Sequence, residues 1–436
     1  LSSARALRWC GSSSDQSLRL IGLPRPGDVE VAIADAYRSE WGFVVAATIR
    51  VAGDIDVAEE CVQEAFARAV ATWPQDGVPQ KSGAWLTTVA RRLAIDTLRR
   101  HTSQRRVVTS YVRSEETTMP NDAEMASIAD DRLRLLFTCC HPALSPEIQV
   151  ALSLRLLCGL TTSEVARAFL VSESTMAARI TRGKKKIAIA HIPYRVPTAS
   201  ELPERVDAVL STIHLVFTTG YTAPSGSELV RHSFVDRALD LARLLRSLLP
   251  DDPEVAALLA LIILTDTRRH TRTSGDGALL LLSEQDRSQW DRAAIGEGTW
   301  LVKESLHVRP PRRFALMAAI AAIHAESPSW EATDWLEIVA LYDLLLVAWP
   351  SPVVALNRAV AVGIADGPEA GLAALSELTN ESQLAGYKYL ASARADFLRR
   401  LGRRVEARVA YEEALALSDN EVEREFLVRR VRELES

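Results

Sequence analysis

The chain has 436 residues, 48% hydrophobic and 25% charged, with a net charge of −5. It is too long for one ordinary core, and this balance excludes a disordered chain. Five cysteines (Cys10, Cys61, Cys139, Cys140, Cys158) exclude a disulfide scaffold and fit a reducing cytoplasm, while the apolar run VAALLALIIL at 255–264 is too short for a membrane span.

Ala, Leu, Arg and Glu dominate and aromatics are 6%, which predicts an all-α protein of more than one domain. Residues 1–192 carry 24 Lys and Arg against 21 Asp and Glu (+3), and residues 193–436 carry 27 against 35 (−8). The two parts therefore suit different partners.

Residues 1–28, Ser-rich and without an apolar secretory core, read as a loose tail. Helices follow, broken at VAGDID (51–56). Beyond Asp56, Val57, Cys61, Val62, Ala65, Phe66, Ala69, Val70 and Trp73 form one helical apolar stripe, and the opposite face carries Glu59, Glu60, Gln63 and Glu64. Pro74 opens a loop, PQDGVPQKSG. A second helix spans about Ala84 to Arg100, with Leu86, Val89, Ala90 and Leu93 inward. Arg91, Arg92, Arg99, Arg100, Arg105 and Arg106 make a basic patch offset only by Asp96. Residues 107–127 lack periodicity and read as a linker. After a helix ending at Pro142, Ser145, Pro146 and Gly159 mark the cap, first turn and end of another.

The segment TTSEVARAFLVSESTMAARITRGKKKI (161–187) is the most informative. Thr161 and Glu164 form a T-x-x-E capping box for a short helix through Leu170. Val171, Ser172 and Glu173 make a turn, and Met176, Ile180 and Ile187 face inward on a second helix. Ser174, Thr175, Arg179, Arg182 and Lys186 are left for another partner. This is helix-turn-helix spacing, in which the second helix enters a DNA major groove. Arg179 and Arg182 suit guanine, whereas Lys184, Lys185 and Lys186 suit phosphates. A helical hairpin with a solvated basic end is the plainer alternative.

From about Leu202 the chain reads as helix after helix. Gly402, Ala407, Tyr411 and Ala414 have the small/large alternation of a tetratricopeptide repeat, and Ala370 and Ala374 lie thirty-seven residues before Ala407 and Tyr411. Residues 266–291 gather Asp266, Arg268, Arg269, His270, Asp276, Asp286, Arg287 and Trp290. That set suits an anionic ligand or acid–base chemistry, or else a charged loop pinned by Arg–carboxylate pairs. Cys139, Cys140 and His141 lack a fourth metal ligand and read as core, and FTTGYTAPSG (217–226) reads as a turn. No cofactor or metal is expected.

The run DVAEECVQEAFARAVATW followed by SGAWLTTVARRLAIDTLRRH resembles region 2 of a bacterial extracytoplasmic-function RNA polymerase sigma factor, and 161–187 resembles its region 4. LLFTCCHPAL and the helical remainder resemble the subgroup with a C-terminal tetratricopeptide-like extension. The resemblance implies region 2 over 29–106, region 4 over 128–192 and a regulatory extension over 193–436. It implies that Asp56, Glu59, Glu60, Gln63 and Glu64 dock the clamp helices of core RNA polymerase, with the flap as a further contact. It places Trp85, Thr88, Arg91, Arg92, Arg99 and Arg100 along the minus-ten element. Trp85 suits either stacking on a flipped base or a place in the core. Ser172, Ser174, Thr175, Arg179, Arg182, Lys184, Lys185 and Lys186 would face the minus-thirty-five element. Arg92 departs from the family's common Asn, which bears on base preference and leaves phosphate binding intact.

The expected function is promoter-directed transcription initiation in the cytoplasm, without covalent chemistry and without a membrane. Its modulator would be the acidic extension, acting by intramolecular contact with the sigma domains or by receiving a separate regulatory protein. The alternative is a dimeric helix-turn-helix regulator whose C-terminal domain binds a ligand or is an enzyme.

Overall fold

The computed structural model describes residues 26–104, 122–169, 171–198, 200–223 and 225–435. The tail expected over 1–28 and the linker over 107–127 lie outside these, except that helices begin at Pro26 and Asp122. Arg105 and Arg106 also fall outside. The chain divides into two compact units, Leu1–Val165 with Glu173–Val209, and Ala166–Ser172 with Leu210–Ser436. The described residues are mostly helical with almost no strand, as the composition predicts.

The first unit opens with α1 (Pro26–Ala52), α2 (Ile55–Asp76) and α3 (Ser82–Gln104), packed on one another. Asp54 caps α2 by accepting from the Val57 amide at 3.0 Å, and Gly77, at φ 85°, closes it. The helix therefore runs through Pro74, where a loop was expected. An exposed proline in a last turn forgoes one amide bond and little else. The expected apolar stripe is buried except at Val57 and Val70, the latter 57% exposed.

Then come α4 (Asp122–Cys139), α5 (Pro146–Leu152), α6 (Thr162–Ala168) and α7 (Glu173–Ile189). The helix of α5 does not continue unchanged to Gly159. It widens at Ser153–Leu157 into a π-turn, in which the Cys158 amide donates to the Ser153 carbonyl at 3.1 Å. Cys139 and Cys140 are fully buried there, and the His141 Nδ1 accepts from the Ala143 amide at 3.1 Å.

Two separate lobes were expected on either side of the linker. Instead they pack together within this unit. Gly42 on α1 lies so close to the π-turn that a Cβ there would stand 2.3 Å from the Leu157 carbonyl oxygen. Buried Asp131 on α4 pairs with Arg50 on α1 at 3.1 Å, and the Tyr194 hydroxyl donates to the carbonyls of Ala46 (2.8 Å) and Asp131 (3.0 Å). The Arg132 guanidinium stacks 4.2 Å over the Phe43 ring. Shape-matched small residues and satisfied polar groups hold the lobes, where the sequence showed only polar linker between them.

The remaining helices are α8 (Leu202–Tyr221), α9 (His232–Leu248), α10 (Pro253–Asp266), α11 (Arg292–Ser305), α12 (Arg313–Glu326), α13 (Trp335–Ala348), α14 (Pro352–Ala365), α15 (Pro368–Ser376), α16 (Lys388–Arg400), α17 (Arg404–Ala416) and α18 (Glu421–Glu435). The apolar run noted above is α10. Asp252 caps it, and every residue from Val255 to Leu264 is buried among α9, α11 and α12. Buried Glu254 accepts from the amides of Phe314 (3.1 Å) and Ala315 (3.3 Å), so one carboxylate caps the start of α12.

Ala407, Tyr411 and Ala414 are buried where α17 packs on α16, as the repeat pattern predicts. One helix pair earlier the buried positions are Gly371 and Leu375, thirty-six residues upstream of Ala407 and Tyr411. Ala370 and Ala374 are only partly buried. The reason is Phe397, whose ring fills the space a Cβ at Gly363 or Gly371 would need, at 2.2 and 2.5 Å. Ser225–Gly226 and Asp419–Asn420 form a two-residue parallel pairing, and the buried Asn420 amide donates to the carbonyls of Ala223 (3.2 Å) and Glu228 (2.9 Å). This clip ties the last helices to the residues after α8.

Candidate nucleic-acid interface

The capping box is formed as its spacing dictates. The Glu164 carboxylate accepts from the Thr161 amide (2.7 Å) and hydroxyl (2.8 Å), and the Glu164 amide donates back to the Thr161 hydroxyl at 3.2 Å. These contacts fix the start of α6, after which a short turn leads into α7. On α7 the buried residues are Met176, Ile180, Gly183 and Ile187, a single stripe at helical spacing. Gly183 is the position sequence reasoning passed over. A Cβ there would meet Ile148 at 2.6 Å and Leu152 at 3.1 Å, so its absence lets α7 lie directly on α5.

The opposite face of α7 exposes Ser174, Thr175, Arg182, Lys185 and Lys186, with Ser172 exposed just before it. Arg179 is mostly covered and pairs with Glu147 at 3.3 Å. Lys184 is sequestered too. Its ammonium sits 2.7 Å from Asp56 and also contacts Glu59 on α2. Burial works against its charge, but the two carboxylates outweigh burial and hold Lys184 above the usual lysine range.

That contact corrects the expected acidic face of α2. Asp56, Glu60, Gln63 and Glu64 are exposed, and Glu64 pairs with Arg68 at 3.0 Å. Glu59 is turned inward, 5% exposed, between Lys184 and Arg155, whose guanidinium lies 2.9 Å away. Arg155 also lies 5.4 Å from the Trp41 ring centroid. A cation inside the apolar stretch ALSLRLLCGL demanded a carboxylate partner, which was the available signal for this pair.

On α3, Arg92, Arg99 and Arg100 are exposed and Arg91 is partly covered. Arg99 approaches Asp96 at 3.8 Å, and Arg100 donates to the Thr97 hydroxyl at 3.2 Å. Thr88 turns its hydroxyl to the Ala84 carbonyl at 2.9 Å. Trp85 is partly buried, edge-on to the fully buried Trp73 at 5.6 Å between centroids. The structure thus presents a basic α3 surface, a basic α7 surface and an acidic α2 surface. The α2 and α7 surfaces meet at Lys184.

Two helical modules in this order, with a helix-turn-helix in the second, define a promoter-recognition factor. Residues 36–104 match sigma-70 region 2, residues 134–187 match sigma-70 region 4, and residues 205–306 match a family of unknown function (DUF6596). An uncharacterized protein of Rhizobium meliloti (strain 1021) is 41% identical over 405 residues, covering 92% of this chain and 94% of that protein. The probable ECF RNA polymerase sigma factor SigI of Mycobacterium tuberculosis is 26% identical over 170 residues, 38% of this chain and 58% of SigI. The chain belongs to the bacterial extracytoplasmic-function sigma factors, in the group carrying a C-terminal helical extension. Among the described residues no helix is long and apolar enough to cross a membrane.

Proposed function

We propose that this sigma factor is held closed when free, by its own polymerase-docking and DNA-reading helices, and that its C-terminal helices set how readily it opens. The observation that carries this is the double ion pair of Lys184 with Asp56 and Glu59. Lys184 belongs to the helix that would face the minus-thirty-five element, and Asp56 belongs to the face that would dock the clamp helices of core polymerase. Lys184 is covered by the pair, and Asp56, though still largely exposed, is engaged in it, so each is committed to the other while the pair stands. Docking on a basic polymerase surface would replace Lys184 and release α7 for DNA.

In the open state, exposed Asp56, Glu60, Gln63 and Glu64 contact polymerase, with its flap taking the second module. Arg91, Arg92, Arg99 and Arg100 follow the minus-ten strand, and Trp85 is the stacking surface for a displaced base. Ser172, Ser174, Thr175, Arg179, Arg182, Lys185 and Lys186 contact the minus-thirty-five duplex. The protein itself performs no covalent chemistry and works in the cytoplasm.

Spin labels on cysteines replacing Glu64 and Lys185, in a chain with Cys10→Ser, report the α2–α7 separation. Core polymerase is expected to lengthen it, and an unchanged distance in the complex contradicts closure. Run-off transcription by the full chain and by residues 1–221 tests modulation. A difference in either direction supports it, and equal activity contradicts it.

A further inference from the structure

The second unit contains a cavity of about 230 Å³, below the ~300–1,000 Å³ of drug-sized sites. It gives room on the order of eight water volumes, enough for one ring or a short branched chain. Leu261 and Leu264 from α10, Met317 and Ile320 from α12, and Leu345 from α13 supply apolar walls. Arg268, His324 and Tyr342 line it with polar groups.

Of these, Arg268 belongs to the charged cluster at 266–291, several of whose other members are taken up by pairings of their own. Asp266 and Asp236 are taken by Arg269, at 2.6 and 2.8 Å. Asp286 caps its own turn by accepting from the Ser288 amide at 2.9 Å. Arg287 is buried and donates to the carbonyls of His324 (3.0 Å) and Ser327 (2.7 Å). Trp290 spends its indole N–H on the Thr271 hydroxyl at 2.9 Å.

Arg268 is left over. It lies 5.9 Å from the Tyr221 ring centroid and has no side-chain hydrogen bond or ion pair among the described residues. Arg272 and Arg287 are the cations that share its surroundings, with Glu331 acting on Arg287 and Glu423 on Arg272 rather than pairing with Arg268. The buried Nδ1 of His324 likewise has no hydrogen-bond partner among the described residues. Burial, then Arg268 and Arg287, lower His324 to about 4, so it is neutral at physiological pH. Burial, partly offset by Arg268, pushes the Tyr342 phenol up to about 12, leaving it a neutral donor.

We infer that this cavity binds a small amphipathic carboxylate. Its anionic end would meet Arg268, with Tyr342 and His324 beside it, and its ring or branched chain would lie among Leu261, Leu264, Met317 and Ile320. A partly buried arginine without an acid partner among the described residues, lining an apolar space, has its electrostatics completed by one negative charge. The apolar walls and small volume favour a monocarboxylic acid over a polyanion. The inference is independent of promoter binding and is tested without polymerase or DNA.

Calorimetric titration of the full chain with benzoate, phenylacetate and 4-methylpentanoate is the test, with benzamide and inorganic phosphate as comparisons. At least one carboxylate is expected to bind with 1:1 stoichiometry, and benzamide about tenfold or more weaker. Arg268→Met should weaken the carboxylate about tenfold or more, with the thermal melt reporting that the variant is folded. Ala321→Leu, which narrows the cavity without touching a charge, should weaken it as well and decides the matter if Arg268→Met does not fold. The inference is overturned if no carboxylate binds at millimolar concentration, or if benzamide or phosphate binds as well as the carboxylates. It is also overturned if folded Arg268→Met or folded Ala321→Leu binds like the parent chain.

Discussion

Glu59 shows how much one side chain can decide in this protein. It is buried between Arg155 and Lys184, so Glu59→Ala leaves two covered cations without their common anion. The expected loss is about 3 kcal/mol by chemical denaturation, against less than about 1 kcal/mol for the exposed Asp56→Ala. Equal losses would show that Glu59 is solvated. In the second unit, burial followed by Arg313 lowers His214 to about 3, and His324 lies at about 4. Both are neutral in the folded state, whereas an unfolded histidine takes up a proton near pH ~6.5. Their contribution to stability is therefore complete above ~6.5 and is lost as pH falls from there toward 4, by about 1.4 kcal/mol per pH unit for each. Melting temperatures across that range should fall, and His214→Phe should reduce the slope; an unchanged slope contradicts the assignment. Asp56, Glu60, Gln63 and Glu64 were legible as an exposed face because helical spacing alone puts them there. Glu59 was not, because its partners are 96 and 125 residues away in sequence, at Arg155 and Lys184.

At several helix contacts here a glycine stands where a side chain would not fit. Gly183→Ala forces a Cβ to 2.6 Å from Ile148 and should cost about 1–3 kcal/mol while displacing the DNA-facing side of α7. Denaturation and promoter-fragment binding should both report it, and a neutral result would mean that α5 and α7 are not in this contact. Asn420→Ala removes the clip between the residues after α8 and the last helices. It should lower stability by about 1–3 kcal/mol in the same assay, because the acceptors at Ala223 and Glu228 lose a buried donor. The capping box and the α7 stripe were legible since each depends on spacing within one segment. The π-turn at Ser153–Leu157 was not, for i→i+5 bonding leaves no periodic mark in so short an apolar run. The repeat register slipped by one residue for a similar reason: Phe397, from a neighbouring helix, selects Gly371 over Ala370.

For the whole molecule, the order of modules was legible and the packing of the first two was not. A polar, aperiodic stretch between two amphipathic segments says nothing about whether their faces find each other. Gly42, Asp131 and Tyr194, which make the join, have meaning only in pairs with Leu157, Arg50 and Ala46. The measurement that bears most directly on the account is run-off transcription by purified core RNA polymerase and the full chain, on a promoter selected in vitro from random DNA. A discrete transcript is expected that requires the chain, fails with Glu60→Lys/Glu64→Lys because polymerase is no longer bound, and fails with Lys185→Ala/Lys186→Ala because the promoter is no longer held. A chain that binds the selected DNA yet yields no transcript with active core polymerase, or one whose transcript is indifferent to both double variants, would contradict it.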